Sequence, residues 1–243
     1  MQQVVREAEE PIPVAEIIRR VRRLRPIESR SPETAIRNAI SQCRLVANTG
    51  DGRYWWYPRL LKGSRVRVPL ISSDLELRRI VFDYDARDML WPSFFAASEQ
   101  VDRNPIELRF GAGDCVSLPL ENFGGREWGT TGSLRFWNWL RACEVTGGDA
   151  LILEAIDAEA RSYLVDLEAA SVRDESAIRR RTAEVERAAR DHMWKRRVFA
   201  VAVWDLAQHL LATGCYRHPV PPDPISPFWR RIETQIGLLR VYA

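Results

Sequence analysis

Thr34, Arg37, Asn38, Ser41 and Arg44 fall on one side of a helical run whose other side is Ile36, Ala39, Ile40 and Cys43. Their chemistry suits the edges of base pairs, because arginine can pair guanine and asparagine can pair adenine through two hydrogen bonds each. Ser31, Thr34, Arg30, Arg44 and, farther on, Arg53 carry groups suited to phosphate oxygens. A polar helix face alone is usually just the solvated side of a helix. What surrounds it decides between the two readings.

Other clusters hold less. His209, Cys215 and His218 include zinc-ligand types, but Cys215-Tyr216-Arg217-His218 lacks a second ligand pair. Asp149, Glu154 and Asp157 could build an acidic metal site of a nuclease, yet neither lysine of the chain, Lys62 or Lys195, is near them in sequence. There is no nucleophile elbow, phosphate loop or metal triad. All three histidines follow residue 190, which leaves histidine-based catalysis little material. Cys43, Cys115, Cys143 and Cys215 are widely spaced with no C-x-x-C, so neither a disulfide framework nor a zinc knuckle is expected. The expectation is a binding protein with no catalytic residues, no metal and no cofactor. A nuclease component of a restriction-type system and a non-catalytic protein-interaction scaffold stand as alternatives.

The elements that must carry the polar face are legible. Val14, Ile17, Ile18, Val21 and Leu24 form a single helical stripe, with Arg19, Arg20, Arg22 and Arg23 over much of the remainder, and Pro26 ends that helix. Ser31 is expected to cap the next helix, with Pro32 in its first position and Glu33 at the positive end of its dipole. Leu45-Val46-Ala47, the turn Asn48-Thr49-Gly50-Asp51-Gly52 and Arg53-Tyr54-Trp55-Trp56-Tyr57 read as a hairpin. Helices followed by a hairpin make a winged helix over residues 11–62. Capped helix, basic surround and wing together favour DNA contact over a merely solvated face.

The order Pro11-Ile12-Pro13-Val14-Ala15-Glu16-Ile17-Ile18, then Ser31-Pro32-Glu33-Thr34-Ala35-Ile36-Arg37-Asn38-Ala39-Ile40, then Gly50-Asp51-Gly52-Arg53-Tyr54-Trp55 resembles the HARE-type helix-turn-helix domain. That family occurs in chromatin proteins, an RNA-polymerase subunit and restriction enzymes. The resemblance implies a DNA-binding mode, with a helix for the major groove and a wing for the minor groove, and no particular pathway.

From Arg65 the pattern changes to short strands: Val66–Val68, Arg79–Phe82, Ile106–Phe110, Cys115–Leu118, Ala150–Ile156 and Ser162–Leu167. Asp83–Arg87, Gly111–Asp114 and Asn122–Gly125 read as the turns between them, and the spacing predicts a small barrel or sandwich over residues 66–170. Trp137 and Trp139 read as core aromatics. Ser72-Ser73-Asp74 before a strand, Pro92-Ser93-Phe94-Phe95, Phe136-Trp137-Asn138-Trp139 and the turn Gly148-Asp149 into a hydrophobic strand are similar to the pseudobarrel of plant auxin-response factors. Relatives of that pseudobarrel include the effector domain of EcoRII-type restriction enzymes. The likeness covers residues 68–168 and implies two DNA-gripping arms: Ser72, Ser73, Arg78 and Arg79 in one, and Arg126, Trp128 and Thr130 in the other.

Charge opposes that implication. Residues 1–65 hold 13 basic against seven acidic side chains, net +6; residues 66–170 hold ten against 18, net −8; residues 171–243 hold 13 against eight, net +5. A polyanion is drawn to the two ends and repelled by the middle. Residues 172–243 are expected to be helical. A charged helix spans 174–197, a mostly apolar one runs from Val198 to Leu211 and ends at Gly214, and a last one starts at Ser226-Pro227. The apolar helix needs covering by the barrel or by a second copy in a homodimer. No apolar run reaches the ~18 residues of a membrane span and the start of the chain lacks a secretory pattern, which points to a cytoplasmic, nucleoid-associated protein. The fold class predicted is α+β: winged helix, mostly-β pseudobarrel, C-terminal helices, with double-stranded DNA as partner.

Overall fold

The computed structural model describes residues 1–24, 30–49, 52–92, 105–124, 127–196 and 201–226. Val4 and Val5, on a short helix α1 (Gln2–Glu7), begin the first of two apolar cores. After strand β1 (Ile12–Pro13), the stripe Ile17, Ile18 and Val21 is buried on helix α2 (Val14–Leu24), as its spacing predicts. Helix α3 (Pro32–Gln42) buries Ile36 and Ile40, one turn apart, against the same core. Fully burying a residue of this size stabilises by roughly 1.5–3 kcal/mol, so a few of them hold each short helix in place. Ser31 occupies the position before α3 with φ −131° and ψ 77°, and its carbonyl accepts the Ala35 N–H as the ordinary first bond of the helix. Its side chain makes no capping bond to α3, so the expected hydroxyl cap does not form.

Strands β2 (Val46–Asn48) and β3 (Arg53–Trp56) form the expected hairpin, and β1 pairs with the other edge of β3 to give the order β1-β3-β2. Val46 and Trp56 face each other across the hairpin and are both buried, which closes the first core. A single turn, α4 (Tyr57–Leu60), then leads into the second.

That core is organised by two open sheets. Chain order runs β4 (Arg65–Pro69), α5 (Ser72–Glu76), β5 (Ile80–Phe82), α6 (Tyr84–Leu90), β6 (Ile106–Phe110), β7 (Asp114–Leu118), β8 (Glu121–Gly124), β9 (Glu127–Thr130), α7 (Leu134–Ala142), β10 (Ala150–Asp157) and β11 (Ser162–Glu168). The five-stranded sheet is β4-β10-β11-β6-β7, antiparallel except for the β11–β6 pair; the three-stranded sheet is β5-β9-β8. Alternation along β10 and β11 sends Leu151, Leu153, Ala155, Tyr163 and Val165 inward. On α7, Trp137 is buried and Trp139 packs against Phe110 and Phe136, so both are core aromatics.

Two stretches read as turns are regular elements. Asp83 caps α6 by accepting the Tyr84 N–H at 2.7 Å, and every residue from Asp85 to Leu90 is buried. Asn122 sits in β8, which hairpins onto β9. In both places polar and glycine residues imitate a loop, while burial of Met89 and Leu90, or of Gly129 and Thr130, sets the outcome.

After a short turn at Ala170–Val172, helices α8 (Glu175–Arg196) and α9 (Val203–Ala212) follow. Ala202 is extended, so α9 starts afresh there and does not continue α8, and Gly214 ends it at φ +81°. The apolar side of α9 (Leu206, Ala207, Leu210) is fully buried, and the helix packs on α6 and β2 within the same chain. Residues 215–226 then run back across the sheets. There the Arg65 N–H donates to the Tyr216 carbonyl, and the Arg67 guanidinium donates to Pro221 O. The last helix predicted from Ser226-Pro227 lies outside the described residues. The whole is an α+β fold.

Candidate nucleic-acid interface

Ile36 and Ile40 fix which side of α3 faces the core, and the opposite side carries Thr34, Arg37, Asn38 and Ser41, all exposed. Ser41 donates to the Asn38 carbonyl at 2.8 Å, so its hydroxyl proton is engaged with its own helix. Arg30 and Ser31 are exposed just ahead of the helix. Arg53 opens β3, exposed beside the hairpin turn, with one guanidinium N–H on the Pro11 carbonyl. The hairpin tip, Gly50 and Asp51, lies outside the described residues.

Arg44 departs from this row. The helix stops at Gln42, so Arg44 does not continue its outer face. It is half-buried, and Asp88 of α6 and Asp205 of α9 supply its facing charge; burial lowers its pKa against their pull. Its carbonyl also accepts a hydrogen bond from Gln208 of α9. Arg44 therefore lies at the junction with α6 and α9, beside Asp88 and Asp205.

On α2, Glu16 accepts from both Arg20 and Arg19, and these bonds hold its carboxyl below the ordinary range. Arg22 reaches Glu33 of α3 at 3.7 Å. Arg23 and Arg37 have no carboxylate within ion-pair distance among the described residues.

The residues expected to form two arms compare poorly with this. Arg78 is exposed in a turn at φ +49°, whereas Arg79 is paired with Asp74, reaches Glu127 at 3.5 Å and lies over the Phe123 ring. Trp128 is half-buried on β9 and packs against the core; Thr130 is fully buried and accepts the Gly132 N–H; Ser72 and Ser73 are exposed on α5. Arg126 lies outside the described residues. The two arms are joined directly, because β5 and β9 are hydrogen-bonded strands.

The acidic trio has structural partners: Asp149 accepts from Ala170 N, Thr146 N and Thr146 Oγ1, Glu154 pairs with Arg65, and Asp157 accepts two backbone N–H groups of its own turn. Among the described residues no group of three His, Cys, Asp or Glu side chains is placed to hold a metal. His209 stacks on His192 at 3.7 Å, and His218 bonds within its own turn at Val220.

Sequence reasoning missed the buried polar layer of α6. Burial pushes Asp88 up to about 8 despite Arg44 and Arg87 nearby, and its Oδ2 has no hydrogen-bond partner in the described structure. Burial likewise raises Asp85, which accepts from the Tyr216 hydroxyl at 3.0 Å. The available signal was Asp83 as a cap ahead of Ala86, Met89 and Leu90 at helical spacing.

No described helix is long and apolar enough to cross a membrane. No family model matches the chain, and no curated protein matches it. Among solved structures the chain is similar to one in an Arabidopsis FUS3–DNA complex, at 18% identity and a TM-score of 0.32, over 43% of this chain and 95% of that one.

Proposed function

We propose that this protein binds double-stranded DNA without cleaving it. In this reading α1 to β3 act as a winged helix-turn-helix, and α3 enters the major groove. The observation that carries it is the exposed row Thr34, Arg37, Asn38 and Ser41, held outward by Ile36 and Ile40 on the most basic third of the chain. A major groove about 12 Å wide admits one helix, and this row would meet base edges through Asn38 and Arg37. Arg30, Ser31, Thr34 and Arg53 surround the row and suit phosphates, which position without specifying. Arg44 is assigned to the junction and not to DNA.

The β-rich middle, residues 66–170, is proposed as a pseudobarrel that supplies little of the affinity. Its net −8 opposes a polyanion, and Arg79 in its arm is already matched by two carboxylates. Arg78, Arg126 and Trp128 would then touch DNA only after the basic end has docked.

Titrating the full chain against random duplex at rising salt tests this. The two arginine–phosphate contacts, at Arg30 and Arg53, predict that affinity falls about tenfold between 50 and 200 mM salt. A flat response, or no complex at low salt, overturns the reading. Mg²⁺-dependent strand cleavage would replace binding by a nuclease function.

A further inference from the structure

Between the outer sides of α2 and α3 runs a groove of about 390 Å³. Ile18 forms part of its floor, Arg19, Arg22, Arg23 and Arg37 its rim, and Glu33 contributes a carboxylate to the lining. Arg19 is occupied by Glu16 and Arg22 shares Glu33 at 3.7 Å. Arg23 and Arg37 have no carboxylate within ion-pair distance among the described residues. Guanidinium groups suit oxygen-rich anions, which they meet through paired N–H donors.

We propose that this groove holds the sugar–phosphate backbone of one DNA strand, with Glu33 acting as a brake on the contact. The inference rests on the reading that α3 enters the major groove. Arg37 ties the two together, because it stands on the exposed row of α3 and on the rim of the groove at once. A helix in the major groove has a strand backbone along each side. On the α2 side, that backbone would lie where Arg19, Arg22 and Arg23 follow one another at intervals of three and one residues along the helix. A backbone supplies successive phosphates to successive arginines, which a single free anion cannot. Glu33 opposes this twice, by repelling the phosphate and by drawing Arg22 toward itself.

The test is equilibrium binding of the full chain to duplexes of about 20 base pairs across a salt series, with three variants. Arg22→Ala with Arg23→Ala should weaken binding to every sequence alike, on the order of tenfold or more, and make the log–log salt slope shallower by about 2. Glu33→Gln should tighten binding several-fold with no change in sequence preference, a sign that damage to the fold would not produce. Asn38→Ala should leave the slope alone and relax sequence preference. If Asn38→Ala behaves so while the arginine pair and Glu33→Gln change neither affinity nor slope, the groove does not hold DNA although the protein binds it. If the parent chain binds no duplex at all, the groove assignment fails together with the function it rests on.

Discussion

Arginine is used in opposite ways at the two ends of this fold. On α2 and α3 it stands on the surface, and Arg23 and Arg37 have no acidic partner among the described residues. In and around the sheets several arginines are structural. Arg67 is fully buried, bonded through two nitrogens to Glu168 and through a third to Pro221 O, with Asp223 at 3.6 Å. Arg87 is buried over the Tyr84 ring, and Arg79 is paired with Asp74. The contrast shows why a count of basic residues cannot locate a polyanion site: a guanidinium matched by carboxylates inside the protein has little left for phosphate. Net charge points the same way only because the paired arginines lie where acidic residues outnumber them.

The contrast breaks most visibly at Arg67. Burial alone would raise the Glu168 carboxyl, but Arg67 and Arg173 outweigh it and hold it low. Arg67→Ala leaves Glu168 to Arg173 alone and removes the side-chain donor to the Pro221 carbonyl, so it should cost about 3 kcal/mol in chemical denaturation. Arg23→Ala, removing an exposed charge, should stay within about 0.5 kcal/mol. Comparable losses would mean that the surface arginines are structural too.

A second test lies at the junction and depends on pH. With its folded pKa near 8 and an unfolded value near 3.9, Asp88 binds more protons folded than unfolded between those limits. Its contribution to stability is present below about pH 4 and is lost as pH rises toward 8. Asp88→Asn should therefore gain on the parent with rising pH, by roughly 5 kcal/mol at pH 9, while the two converge near pH 4. His209 tilts the other way. Burial and the neighbouring His192 depress it to about 4, so stability is lost as pH falls from about 6.5 through 4. That acid limb should stand out more cleanly in the Asp88→Asn variant, where the opposing titration is gone. Parallel stability curves for parent and variant would contradict the burial of Asp88.

Smaller effects should separate reading from positioning. Asn38→Ala should cost about 1–3 kcal/mol on a preferred site and far less on random duplex. Arg53→Ala, one contact beside the hairpin turn, should weaken all sequences alike by about 1 kcal/mol or less. Equal, sequence-independent losses from both would reduce the α3 row to a solvated face.

How much of this was legible follows the same division. The stripes of α2 and α3, the hairpin after them and most of the strands follow from apolar spacing, because each needs only its own residues to declare a buried side. Asp85 and Asp88 did not declare theirs, since what buries them is Tyr216 and α9, more than a hundred residues away. Arg44 was misplaced because a helical face was extended two residues past the end of the helix at Gln42. The arginine groove was half legible: α2's exposed arginines were plain, but only packing brings Glu33 and Arg37 to them.

The packing also determines how the central claim should be tested. Gln208 donates to Arg44 O, Arg217 donates to Leu60 O, and α9 packs on β2, so cutting the chain near residue 65 would take Ala47, Tyr57, Leu60 and Leu61 out of the second core. Charge reversal in the full chain avoids this. The direct measurement compares Arg23→Glu with Arg37→Glu against Arg78→Glu with Arg79→Glu, read as affinity for random duplex at about 50 mM salt. If affinity resides on α2 and α3, the first pair should lower it by about a hundredfold or more and the second by about threefold or less. The reverse ranking would place the DNA on the β-rich arms and contradict the account.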